Sequence, residues 1–167
     1  MILKPYHIVR DHTYYQLITA DLVHINLQHL VINEASLLFI CGSMEQHLRK
    51  TSAFGSVKFA IIYLTSLLTG NLIAVYRNKN DPEYTTAGAS GSIMGCLFGF
   101  MYLEPHTIAF YLPVFGPVSN VFYAIIYIIL MFVMKKRIAK SGINYGVHFW
   151  GAIAGIVITI LITAPFK

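Results

Sequence analysis

Ser90 and His148 are the two side chains of this sequence best suited to covalent chemistry. Ser90 lies in Thr86-Ala87-Gly88-Ala89-Ser90-Gly91-Ser92, and an apolar run follows at once. His148 lies in Gly146-Val147-His148-Phe149-Trp150-Gly151, at the head of another apolar run. A polar or ionisable group is expensive at membrane depth, so each is a functional candidate. An imidazole is the usual base for a serine hydroxyl, so the pair points to nucleophilic attack by Ser90 with His148 taking its proton. A serine at a helix start also sits beside free N–H groups and the positive end of the helix dipole, which suit an oxyanion. Gly88 and Gly91 let the backbone approach a ligand closely. Alone, the string around Ser90 reads better as an ordinary helix cap.

His29 and Asn33 are four residues apart and share one helix face. Both can donate hydrogen bonds to a developing oxyanion; alone, they read as hydrogen-bonding glue between helices. A metal held by His24, His29 and His148 would lack a matching carboxylate pair and leave the serine idle. No metal and no cofactor is therefore expected.

The elements that carry these residues follow from composition. The chain has 167 residues, 56% hydrophobic and 11% charged, with a mean hydropathy of +0.63. Soluble domains carry about 25% charged residues, so this balance predicts an all-α polytopic membrane protein with a single domain, 1–167. The net charge is +5. The cations flank apolar runs, as membrane anchors do, so the partner is the lipid bilayer and not nucleic acid. Cys41 and Cys96 fall inside apolar segments and read as small buried side chains, not a disulfide. Asp11, His12 and Asp21 interrupt any signal-peptide core.

Five spans are expected, at about 22–44, 59–76, 91–103, 118–134 and 146–164, after an interfacial segment 1–21 whose Tyr14 and Tyr15 suit headgroup level. The third is short. Its thirteen residues reach about 20 Å against a hydrocarbon core of about 30 Å. Ser90 should then lie below the surface, with the loop 77–87 dipping inward to line a wet cavity. Glycines 91, 95 and 99 form a small-residue ladder that suits close helix packing, and Gly151 and Gly155 form another. If the two ladders meet, Ser90 and His148 share one end of a helix pair.

Four strings of the sequence belong together. They are His24-Ile25-Asn26-Leu27-Gln28-His29-Leu30-Val31-Ile32-Asn33, Cys41-Gly42-Ser43-Met44-Glu45, Gly88-Ala89-Ser90-Gly91, and His148-Phe149-Trp150-Gly151-Ala152-Ile153-Ala154-Gly155. In this order, on successive apolar segments, they resemble the rhomboid intramembrane serine proteases over roughly residues 14 to 160. The resemblance implies a rhomboid-like helix bundle in which Ser90 is the nucleophile and His148 its general base. It also implies an oxyanion hole formed by His29, Asn33 and the Ser90 N–H, beside Gly88, with His24 at the top of the cavity. The substrates it implies are transmembrane segments of membrane proteins, cleaved by a multi-pass protein of the bacterial plasma membrane. Oligomeric state is left open.

The family core has six helices and this chain begins just before the second, so five are expected, the first being absent. The family's Trp-Arg pair is Tyr15-Gln16 here, which takes the arginine partner from Glu45. Met94 stands where an aromatic is usual. Val147 replaces an alanine and is expected to crowd the helix contact. The alternative reading is a non-catalytic rhomboid-like protein that binds transmembrane helices.

Overall fold

In a computed structural model of the chain, residues 2–114, 116–138 and 144–164 are described, with backbone alone for 109, 110 and 130–138. The ends of the expected domain, Met1 and 165–167, lie outside the described residues.

The chain opens with two short helices, α1 (Pro5–Asp11) and α2 (Gln16–Thr19), followed by a 3₁₀ turn, Ala20–Leu22. Pro5 stands at the first position of α1, where its missing N–H costs nothing. In this segment Tyr14 and Tyr15 are exposed while Leu3 and Ile8 are buried, and Leu3 pairs with Thr86 as an isolated antiparallel bridge.

The first long helix is α3 (Leu27–Ser36), a π turn (Leu37–Cys41) and α4 (Gly42–Thr51), continuous over Leu27–Thr51. It begins later than the expected 22, because the Asn26 side chain accepts from His29 N–H at 2.8 Å and caps it there. Ser36 Oγ donates to the Ile32 carbonyl at 2.7 Å just before the π turn, the kind of back-bonding that loosens a helical ladder. Then come α5 (Gly55–Asn78), α6 (Ser90–Leu103), α7 (Asn120–Ile138) and α8 (Tyr145–Thr163).

The bundle is helical, as expected of a polytopic membrane protein, and it carries one small hairpin besides its helices. Strands β1 (Ile108–Leu112) and β2 (Gly116–Ser119) form an antiparallel hairpin between α6 and α7. Pro105, Pro113 and Pro117 resist helix over this stretch, and the aromatic and β-branched residues of β1 favour extended backbone.

Among the described residues, three helices are long and apolar enough to cross a membrane: Leu27–Thr51, Gly55–Asn78 and Tyr145–Thr163. α6 is a shorter apolar helix, as its segment length predicts, and so is the stretch Asn120–Ile129 of α7. α6 stands at the centre, packed against both α8 and α5. A Cβ on Gly151 would collide with the Gly91 backbone, and one on Gly155 with the Gly95 backbone. The two glycine ladders therefore meet. α5 adds a third party that the sequence pattern does not announce: its buried Ser66 lies against Gly95. Around them Cys41, Met44, Leu48, Ile62, Ile93 and Cys96 form the apolar core, with both cysteines free and buried as expected.

Replacing Gly155 by Val should cost about 3 kcal/mol, since the facing backbone has no room to move aside. Thermal unfolding in detergent checks this; an unchanged midpoint would contradict the backbone contact.

Candidate functional site

The ladder contact sets the register of the site. Ser90 is one residue ahead of Gly91, and His148 is three residues, almost one turn, ahead of Gly151. With Gly91 seated on Gly151, Ser90 and His148 come together at the same end of the pair. Ser90 Oγ lies 2.6 Å from His148 Nε2. The serine can donate to an unprotonated nitrogen at that distance. As the first residue of α6, Ser90 also has an N–H with no carbonyl a turn earlier to receive it. Val147, expected to crowd the contact, fits because Gly70 and Gly91 leave its side chain room.

Beside this pair lies a cavity of about 540 Å³, lined among others by His29, Asn33, Gly88, Ser90, Met94 and His148. Gly88 takes a φ of +104°, a conformation L side chains rarely adopt. A Cβ there would strike the His29 ring and press on Asn33. What Gly88 adds is space, since its own N–H is donated to the Ala20 carbonyl at 2.9 Å. His29 Nδ1 and Asn33 Nδ2 are buried with no hydrogen-bond partner among the described residues. Leaving a buried donor unpaired costs about 1–3 kcal/mol, so such groups at a cavity favour an incoming acceptor. His24 does not line the cavity; its ring meets His29 edge to face with centroids 5.2 Å apart.

Several residues that brace the site were not singled out for it from sequence. Leu3 and Thr86 exchange backbone bonds of 2.9 and 3.1 Å, which ties the N-terminal segment to the loop before α6. Asp21 accepts a short bond from Ser92 Oγ, two residues beyond Ser90. Asn71 of α5 donates to Asp21 Oδ1 at 3.5 Å and to the Leu17 carbonyl at 2.9 Å. Burial pushes the Asp21 carboxyl up to about 6, against the opposing pull of its Ser92 and Asn71 bonds. At α8, the Asn144 side chain caps the helix by accepting from Gly146 and Val147 N–H, and its amide bonds Tyr84 OH. One signal was available: a lone acid and a lone Asn just ahead of apolar runs. Among the described residues Glu45 makes no ion pair and accepts from Ser56 Oγ at 2.7 Å.

A family model described as the rhomboid domain matches residues 11–165. The chain is 25% identical over 162 residues to the rhomboid protease GluP of Bacillus subtilis (strain 168), covering 97% of this chain and 29% of that protein. It is 28% identical over 153 residues to YdcA of the same strain, covering 92% of this chain and 69% of that protein. Over 90 residues it is 31% identical to Inactive RHOMBOID-like protein 8 of Arabidopsis thaliana, covering 54% of this chain and 24% of that protein. The chain thus spans less than a third of the length of GluP and of the Arabidopsis protein.

Two outcomes follow from the bracing. The folded Asp21 carboxyl holds its proton up to about pH 6, whereas an ordinary one releases it near 3.8. The folded state therefore binds more protons between these values and loses stability as pH rises through them. The melting temperature should fall over that window in the wild type and not in Asp21→Asn. Tyr84→Phe should cost about 1 kcal/mol by removing the bond to Asn144, read as a lower unfolding midpoint.

Proposed function

The chain belongs to the rhomboid family, and we propose from that premise that it is an intramembrane serine protease working through Ser90 and His148. It is a multi-pass integral membrane protein; its Bacillus relatives support placing it in a bacterial plasma membrane. The observation that carries the reading is the 2.6 Å approach of Ser90 Oγ to His148 Nε2, beside a cavity that holds unpaired polar groups.

In this reading a transmembrane segment of a protein substrate enters from the bilayer and unwinds enough to present a carbonyl in the cavity. Ser90 Oγ attacks the carbonyl carbon as His148 Nε2 takes the hydroxyl proton. The carbonyl oxygen becomes an oxyanion, with the Ser90 N–H and the side chains of His29 and Asn33 as its donors. His148 then passes its proton to the leaving amine, the C–N bond breaks, and an acyl group remains on Ser90. Water, deprotonated by His148, hydrolyses that ester. The imidazole contributes about 10²–10⁴-fold as acid and base.

A relative whose name marks it as inactive makes catalysis, rather than membership, the point to test. Ser90→Ala should abolish cleavage of a reporter transmembrane substrate. Asn33→Ala should slow it about 10²–10³-fold, the usual loss for one oxyanion donor. A fluorophosphonate probe should label wild type at Ser90 and fail after His148→Ala. Full turnover by Ser90→Ala would sink the assignment, and a wild type that binds the reporter without cutting it would favour the helix-binding alternative.

A further inference from the structure

Asp21 is a buried acid that the chemistry above does not use. It is 7% exposed, and its partner Ser92 is 1% exposed. It sits where three elements meet: its own 3₁₀ turn, α5 through Asn71, and the first turn of α6 through Ser92. Ala20, the residue before it, accepts the Gly88 N–H, so the turn grips both sides of Ser90.

We propose that Asp21 is a positioning residue, whose carboxylate clamps the first turn of α6 by accepting the Ser92 hydroxyl and thereby holds Ser90 in reach of His148. The proposal rests on the protease reading for its consequence, though the clamp itself is geometric.

The bonding favours a carboxylate over any neutral group. Both neighbours donate: Ser92 Oγ to one oxygen, Asn71 Nδ2 to the other. A bond to an ionised acceptor is about twice as strong as a neutral one. Among the described residues Asp21 makes no ion pair, so its charge is met by these dipoles alone. The titratable group facing it from α5 is Tyr63, which hydrogen-bonds Ser92 and feels the Asp21 charge. From α6 Ser92 faces it, with the Cys96 thiol near Tyr63. Burial raises the Asp21 carboxyl to about 6, so ionisation there costs the fold some stability. The anion is then explained by position, not by stability. Protonation exchanges the charge-assisted bond for a neutral one and slackens the clamp on the turn that carries Ser90.

The experiment uses the full chain in detergent, as wild type, Asp21→Asn and Ser92→Ala. Hydrogen exchange at pH 7.5 over the peptide 84–92 reads the clamp with no need of turnover. Exchange should be faster in both variants, and the two changes should not add in the double variant, because both act on one bond. With a reporter transmembrane substrate, Asp21→Asn should lower kcat about ten- to hundredfold and leave KM within a factor of about two, the mark of lost alignment. The ratio of wild-type to Asp21→Asn kcat should be largest at pH 8 and shrink well below pH 6, where the wild type carries no carboxylate. Titration of His148 occurs in both proteins and cancels from that ratio. Unchanged exchange in both variants overturns the proposal, whether or not the wild type cleaves. A ratio that stays flat with pH overturns it too, since a merely structural Asp21 predicts that result. If Asp21→Asn does not fold, Ser92→Ala alone decides the exchange and the kcat–KM split. Faster exchange in both variants, with a wild type that cuts nothing, would support the clamp and retire the protease reading.

Discussion

Between Gly91 and Gly151, and again between Gly95 and Gly155, the backbones of α6 and α8 touch with no side chain between them. Lipid tails are as apolar as leucine, so helices in a bilayer associate through close packing and hydrogen bonds. Here that packing also fixes the site. Ser90 and His148 lie on different helices, 58 residues apart in the chain. Their separation depends on how far α6 slides or turns against α8, and the glycine contact permits one register. The short length of α6 matters for the same reason. A longer helix would carry its first residue further along, whereas Ser90 opens beside the cavity.

The loop before α6 faces a second constraint. Irregular backbone packed within a helical membrane protein must find its hydrogen bonds inside the protein. The loop before α6 finds them in the N-terminal segment. Thr86 pairs with Leu3, Gly88 with Ala20, and Ser92 with Asp21. The segment that precedes the first long helix is thus part of the site's wall. The same logic holds at α8, where Asn144 takes up Gly146 and Val147 N–H and is itself held by Tyr84. The starts of α6 and α8 are thus both tied to the loop between α5 and α6.

His29, Asn33 and Gly88 show how these constraints combine. A Cβ at 88 would strike His29, so the positive φ and the missing side chain are needed together. The result is a place where two buried polar atoms lack hydrogen-bond partners among the described residues, beside a hydroxyl and an imidazole. Structural polar groups are normally satisfied. A cluster left open at one end of its helices supports the proposed reacting centre.

Much of this is legible in the chain. Apolar run lengths mark the helices, because spanning a hydrocarbon layer fixes a length. Ser90, His148, His29 and Asn33 stand out because polar groups in such runs are costly. The glycine ladders predict the helix pair, because spacing on a helix is a local property. The rest depended on contacts that no local pattern encodes. Asn26 moves the first helix start, prolines and aromatics make a hairpin, and Val147 fits because Gly70 lies on a third helix. Asp21 reads in sequence only as an interruption of an apolar stretch. Its meaning comes from Ser92, 71 residues away. Sequence by itself determined which residues could react and which helices would carry them, since periodicity and hydropathy are written along one chain. Only the tertiary structure decided what holds them in place, because a hydrogen bond across helices has a partner that spacing cannot name.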